Sequence, residues 1–150
     1  MTELQLDKDQ FDVIWAEGSA YIMGVEKALK TWKPLLKANG FVVFSDMVWL
    51  TDEPSEDAVE HWKSDYPDIQ TVGIRTKQIK KAGYELEQSF TLSERGWQNY
   101  YEPLQARLEQ LKPLMKNSQA IEDIQREIDI STSRFGEFGY QFFIARKHSD

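Results

Sequence analysis

The chain has 150 residues with 41% hydrophobic and 29% charged content, the balance of a soluble globular domain rather than of a disordered one. Its 25 acidic and 18 basic side chains leave a formal charge of -7, which repels a phosphate backbone, and the basic residues form no stripe, so nucleic acid is a poor partner. Without cysteine there is no disulfide framework, thiolate nucleophile or zinc-thiolate site. No apolar run reaches the roughly 20 residues that span a bilayer, and the N-terminus lacks the pattern of an export signal, so a cytoplasmic protein with no membrane partner is expected.

The apolar run Phe11 to Ala16, bounded by Asp7-Lys8-Asp9-Gln10 and Glu17-Gly18-Ser19, predicts a buried strand. From Gly24 to Ala38 the residues Val25, Ala28, Leu29, Trp32, Leu35 and Leu36 recur at helical spacing, and Asn39-Gly40 provides a stop. Phe41 to Phe44 then reads as a second buried strand. Both strands are nearly continuously apolar, which predicts a parallel sheet covered on both faces with the helix as a right-handed crossover.

Ser45-Asp46 opens a polar loop containing Pro54, followed by a short helix from about Ser55 to Tyr66-Pro67 and another over about Thr71 to Lys81. Ala82-Gly83 ends the latter, and Tyr84 to Leu92 alternates as a half-buried strand. Ser93 is a candidate N-cap for a helical stretch that Pro103 and Pro113 are expected to kink or divide, and Ser118 for a second one with Ala120, Ile121, Ile124 and Ile128 as its stripe. Gly139 to Arg146 makes the last strand, and the whole reads as one α/β domain.

The run Phe11 to Tyr21 (FDVIWAEGSAY), then Trp32 to Gly40 (WKPLLKANG) and Phe41 to Asp46 (FVVFSD), resembles the middle of class I S-adenosylmethionine-dependent methyltransferases. Ile79 to Tyr84 (IKKAGY) is similar to that family's turn before strand six, and Gly139 to Arg146 to its closing antiparallel strand. The resemblance covers nearly the whole chain. It implies a partial doubly wound, Rossmann-like sheet, the C-terminal half of a methyltransferase domain, with a closing antiparallel strand and an inserted helical segment.

The family's cofactor loop, an acidic residue with a glycine-rich turn after strand one, has no counterpart, since the sequence contains no G-x-G. The resemblance therefore implies a truncated domain. S-adenosylmethionine is the implied cofactor, with Met1 matching the residue whose backbone faces the adenine. Two functions follow as expectations: methyl transfer to a small-molecule acceptor by a fragment inactive alone, or a non-catalytic interaction module that self-associates. In the family's sheet strand four lies beside strand one, so Phe11 to Ala16 is expected as an exposed hydrophobic edge that recruits a second copy, as is the sheet face the missing helices would cover.

Ala16, Glu17 and Gly18 sit at the carboxyl end of the first strand, where open α/β sheets bind ligands, and are the candidate cofactor-side residues. A carboxylate there can orient an acceptor or take a proton, and a glycine permits close approach, although Glu17 can equally begin a simple turn. Asp46, at the end of the second strand, has the same positional argument for touching substrate, with a cap or turn as the simpler reading. By resemblance Tyr66, Trp97, Tyr100 and Tyr101 lie in segments that shape the acceptor pocket, against the alternative that Trp97 and Tyr101 are helical core. Gly18-Ser19 does not meet the Gly-x-Ser-x-Gly pattern, and His61 has no ligand-spaced partner, so neither a serine triad nor a metal site is expected.

Overall fold

The computed structural model describes residues 6–148. Strand β1 (Phe11–Ala16), helix α1 (Val25–Trp32) and strand β2 (Leu36–Trp49) form a parallel unit, with β1 pairing β2 from Phe11 opposite Leu36 to Ala16 opposite Phe44. Helix α2 (Glu56–Asp65) and a two-residue strand β3 (Gln70–Thr71) lead into α3 (Val72–Lys81) and β4 (Tyr84–Thr91). Two helices, α4 (Glu94–Leu111) and α5 (Gln119–Ser133), are inserted before the closing strand β5 (Phe138–Lys147). The sheet order is β1-β2-β5-β4, with β5 antiparallel to both neighbours and β3 pairing the end of β2.

Several boundaries differ from the sequence reading. Helix α1 stops at Trp32 and tightens into a 3₁₀ turn over Lys33–Leu35, because Pro34 brings no N–H and its ring crowds the preceding turn. Strand β2 is fourteen residues long, against the four of the expected Phe41 to Phe44. Asn39 takes φ 61° within a β2 segment where the pairing with β1 shifts register between Phe11 and Val13, so Asn39-Gly40 marks an irregularity in a strand and not the end of a helix. Ser45 and Asp46 are buried inside β2 and do not open a loop. Pro103 lies within one unbroken α4, and only Pro113 falls beyond its end.

Nor is β1 covered on both faces. Ile14 and Ala16 point inward, whereas Val13 is 47% and Trp15 65% exposed, on the outermost strand of the sheet. The core therefore lies mainly on one side. Val42, Phe44, Val48, Phe143 and Ala145 of the sheet pack there with Val25, Ala28 and Leu29 of α1 and Ile79 of α3, and the Phe44 and Phe143 rings stack at 5.1 Å.

A second cluster joins α2, α4 and α5 to the end of the sheet through Met47, Ala58, Trp97, Tyr101, Leu108, Ile121, Ile128 and Phe138. Burying such side chains contributes about 1.5–3 kcal/mol each before entropy is subtracted. Ser93 caps α4 by accepting from the Gly96 N–H at 3.3 Å, while Ser55 is held by Glu137, whose Oε2 accepts from both its N–H and its hydroxyl at 2.7 Å. These contacts fix the helical insertion over the carboxyl end of β1 and β2.

Candidate functional site

At that end of the sheet β1 finishes at Ala16, which is buried, and the chain turns through Glu17 and Gly18. Gly18 has φ 51°, in the left-handed region, and its N–H donates to the Ser45 hydroxyl at 2.9 Å. A Cβ at Gly18 would lie 3.6 Å from the Tyr140 hydroxyl, so this corner faces Tyr140 directly. Glu17 is exposed, and its Oε1 accepts from the Trp15 indole N–H at 2.6 Å. Met1 lies outside the described residues.

Tyr140 stands opposite Met47 in the β2–β5 ladder and forms one wall of a cavity of about 310 Å³. Trp62 from α2 and Trp97, Tyr100 and Tyr101 from α4 supply further walls, and among the described residues Glu127 from α5 is the only charged one lining it. The Trp97 and Tyr101 rings stack at 5.4 Å and 7°, Tyr100 meets Tyr101 edge-on at 4.9 Å, and Trp97 lies 6.0 Å from Tyr140. The Tyr101 hydroxyl donates to Glu127 Oε1 at 3.2 Å and accepts from Ser131 at 3.0 Å, which holds the carboxylate in place.

Burial raises the phenol pKa of Tyr140, and the charges of Tyr21, Asp46, Tyr100 and Glu127 reinforce it. Tyr101 is raised for the same first reason. Both are neutral hydrogen-bonding groups at physiological pH. The indole Nε1 of Trp62 is buried without a hydrogen-bond partner. A larger cavity of about 950 Å³ between α2 and α5 shares Trp62, Glu127 and Tyr140 with the first and carries Glu60 and Asp65 on its rim.

Asp46 and Tyr66 do not line this cavity, although Tyr66 packs in the same cluster as Trp97 and Tyr101. Asp46 Oδ1 accepts from the Tyr66 hydroxyl at 2.8 Å and Oδ2 from Arg75 Nε at 2.7 Å, with the Asp46 and Arg75 side chains fully buried. Arg75 further donates to Tyr66 and the Asp68 carbonyl, both at 2.5 Å, and to Gln78 at 2.7 Å. Burial pushes the Asp46 carboxyl above the usual carboxylate range, against the opposing pull of Arg75. The polar atoms of this cluster satisfy one another and tie β2 to α3.

Of the candidate residues, Gly18, Trp97 and Tyr101 meet at or beside one cavity, Ala16 and Glu17 adjoin its Gly18 corner, and Asp46 and Tyr66 pair with each other. Trp97 and Tyr101 are also buried in the helical cluster, so both readings of them apply together. The residues that sequence reasoning missed are Trp62, Glu127 and Tyr140. Glu127 carried a weak signal, an acidic residue immediately before Ile128 of the α5 stripe, whereas Tyr140 is brought in by its register with Met47 and had none.

Among the described residues no group of histidine and carboxylate side chains is arranged to hold a metal ion, and no helix is long and apolar enough to cross a membrane.

No protein-family model and no curated protein matches the sequence. Solved structures do. The chain superposes on the [4+2]-cyclase SpnF with a TM-score of 0.73 at 18% identity, covering 99% of this chain and 54% of that one. It superposes on the Haemonchus contortus phosphoethanolamine N-methyltransferase 2, solved with S-adenosyl-L-methionine, with a TM-score of 0.76 at 18% identity, over 99% of this chain and 36% of that one. For the geranyl diphosphate C-methyltransferase of Streptomyces coelicolor A3(2), solved with Mg2+, geranyl diphosphate and S-adenosyl-L-homocysteine, the values are 0.65, 15%, 97% and 50%. The chain spans about half or less of the length of these proteins. Its fold is thus that of the Rossmann-like S-adenosylmethionine-dependent methyltransferases, reproduced over part of their domain.

Proposed function

We propose that this chain is the acceptor-binding part of an S-adenosylmethionine-dependent methyltransferase acting on a small molecule, and that it is inactive alone. The observation that carries the proposal is the aromatic cavity walled by Tyr140, whose hydroxyl lies beside the Gly18 turn at the end of β1. Cavities of about 300–1,000 Å³ with few polar groups suit small molecules, and carboxyl ends of parallel strands are where open α/β sheets bind them.

S-adenosylmethionine fits the described residues only in part. Glu17 and Gly18 would be the residues to hold its methionine end, but this sequence offers no glycine-rich turn after a strand that would cradle the nucleoside end. What the cofactor supplies when bound is the methyl group. The contribution of this chain is to desolvate and orient the acceptor: stacked Trp97 and Tyr101 fix its plane, Tyr140 offers a neutral hydroxyl, and Glu127 a carboxylate held by Tyr101. Positioning of this kind accounts for a large share of the rate of a bimolecular displacement.

Calorimetric titration of the 150-residue chain with S-adenosylhomocysteine tests the reading. No saturable binding below millimolar concentration is expected from the chain alone. Micromolar binding would show that it assembles a complete cofactor site, and the inactivity proposed for it would be wrong.

The exposed Val13 and Trp15 on the outermost strand favour a second reading, a non-catalytic module that self-associates through the β1 edge or face. The two readings are compatible if the homodimer is the form in which a cytoplasmic fragment persists.

A further inference from the structure

We infer that the acceptor is a small amine, held in the cavity as its ammonium ion by the aromatic side chains and Glu127 and able to take a methyl group once that proton has passed to Glu127 or solvent. This deepens the proposed function and rests on that reading for its catalytic meaning, although the binding itself does not. Five aromatic residues, Trp62, Trp97, Tyr100, Tyr101 and Tyr140, surround about 310 Å³. Trp, Tyr and Phe faces attract a cation through the ring quadrupole, and several faces around one desolvated volume are the arrangement that recognises substituted ammonium groups.

The charge around the cavity has the matching sign. Among the described residues Glu127 is its only charged lining residue, and the adjoining cavity, which shares Glu127, is lined by Asp57, Glu60, Asp65 and Asp123 against His61 and Arg126. Its arginine, Arg126, faces Asp123 at 3.6 Å. A phosphorylated or diphosphate acceptor would need a cationic clamp at the cage, and among the described residues no Lys, Arg or His lines it.

Tyr101 makes the carboxylate a built feature. Its hydroxyl is buried, takes a hydrogen bond from Ser131 and gives its own to Glu127, so Glu127 is oriented from the side remote from solvent. An acidic residue on a solvated helix face has no need of such support.

Calorimetric titration of the full chain with choline and with its uncharged carbon isostere 3,3-dimethylbutan-1-ol decides the matter. Choline is expected to bind at least about tenfold more tightly than the isostere, since cation–π attraction is lost when the charge is removed. Glu127→Gln should weaken choline about tenfold and leave the isostere unchanged, and Tyr100→Ala should weaken choline about threefold while Tyr100→Phe does not. Tyr100 is 60% exposed, so its variants decide the question should Glu127→Gln fail to fold.

Equal affinity for the two probes, no choline binding, or choline binding indifferent to both variants overturns the inference. Failure of the methyltransferase reading is seen separately. Choline binding that discriminates against the isostere is read without S-adenosylhomocysteine, so it stands or falls apart from the cofactor titration proposed above.

Discussion

Arg75 Nε donates to Asp46 Oδ2 at 2.7 Å, across 29 positions of sequence, with both side chains removed from solvent. Deleting one partner leaves an uncompensated buried charge, which costs about 3–5 kcal/mol, whereas replacing both by apolar groups of similar volume is often neutral. Arg75→Met is therefore expected to lower stability by about 3 kcal/mol or more, and Asp46→Leu with Arg75→Met to recover most of it. Denaturant unfolding of the two single variants and the double variant checks this. Additive losses would mean that the pair does not act as a unit.

The same pair shows where the sequence stops being legible. Ser45-Asp46 after four apolar residues reads locally as a strand giving way to a loop, and only a guanidinium from α3 makes a buried aspartate tolerable within β2. Helix α4 makes the same point at Pro103, since Trp97, Tyr101 and Leu108 bury one face on both sides of it and hold the helix together through a residue that breaks isolated helices. The succession of strands and helices was readable because continuous apolar runs, helical spacing and the Ala82-Gly83 stop are local signals, whereas the antiparallel closing strand came from the family resemblance. Half of the site was not: Gly18 announces a turn by itself, but its neighbour Tyr140 is set by a ladder between residues nearly a hundred positions apart.

Gly18 itself is testable. At φ 51° a side chain strains the backbone by about 1–2 kcal/mol, and Asn tolerates this region better than β-branched residues do. Gly18→Val is expected to lower the melting temperature by several degrees and Gly18→Asn by less. Either substitution also crowds the approach to Tyr140, so ligand affinity should fall in the more stable Asn variant too. Unchanged affinity in Gly18→Asn would remove this corner from the site.

Glu137 gives a pH dependence with a definite sign. The Ser55 N–H and hydroxyl, both bonded to its Oε2, hold its pKa below the ordinary glutamate value. A depressed pKa in the folded state contributes stability above the unfolded value, and that contribution is lost as pH falls through the folded one. Melting temperatures of the parent should therefore drop more between about pH 6 and pH 3 than those of Glu137→Gln, with the gap closing at the acid end. Parallel curves would show that these bonds are no stronger for the carboxylate than for water.

The last expectation concerns Trp15. Its ring is 65% exposed on an edge strand, in register with Val43 on the same face, and its indole N–H is turned onto Glu17. An apolar surface beside unpaired strand groups is a template for association, and a charge on it opposes pairing. The parent chain is expected to be a dimer at micromolar concentration by light scattering, and Trp15→Lys a monomer of the same helix content. Since Trp15 contributes little to the core, the substitution should leave the stability of the monomer within about 0.5 kcal/mol of the parent's. A parent that is monomeric at every concentration removes self-association through this edge, while a Trp15→Lys dimer relocates the contact to another surface.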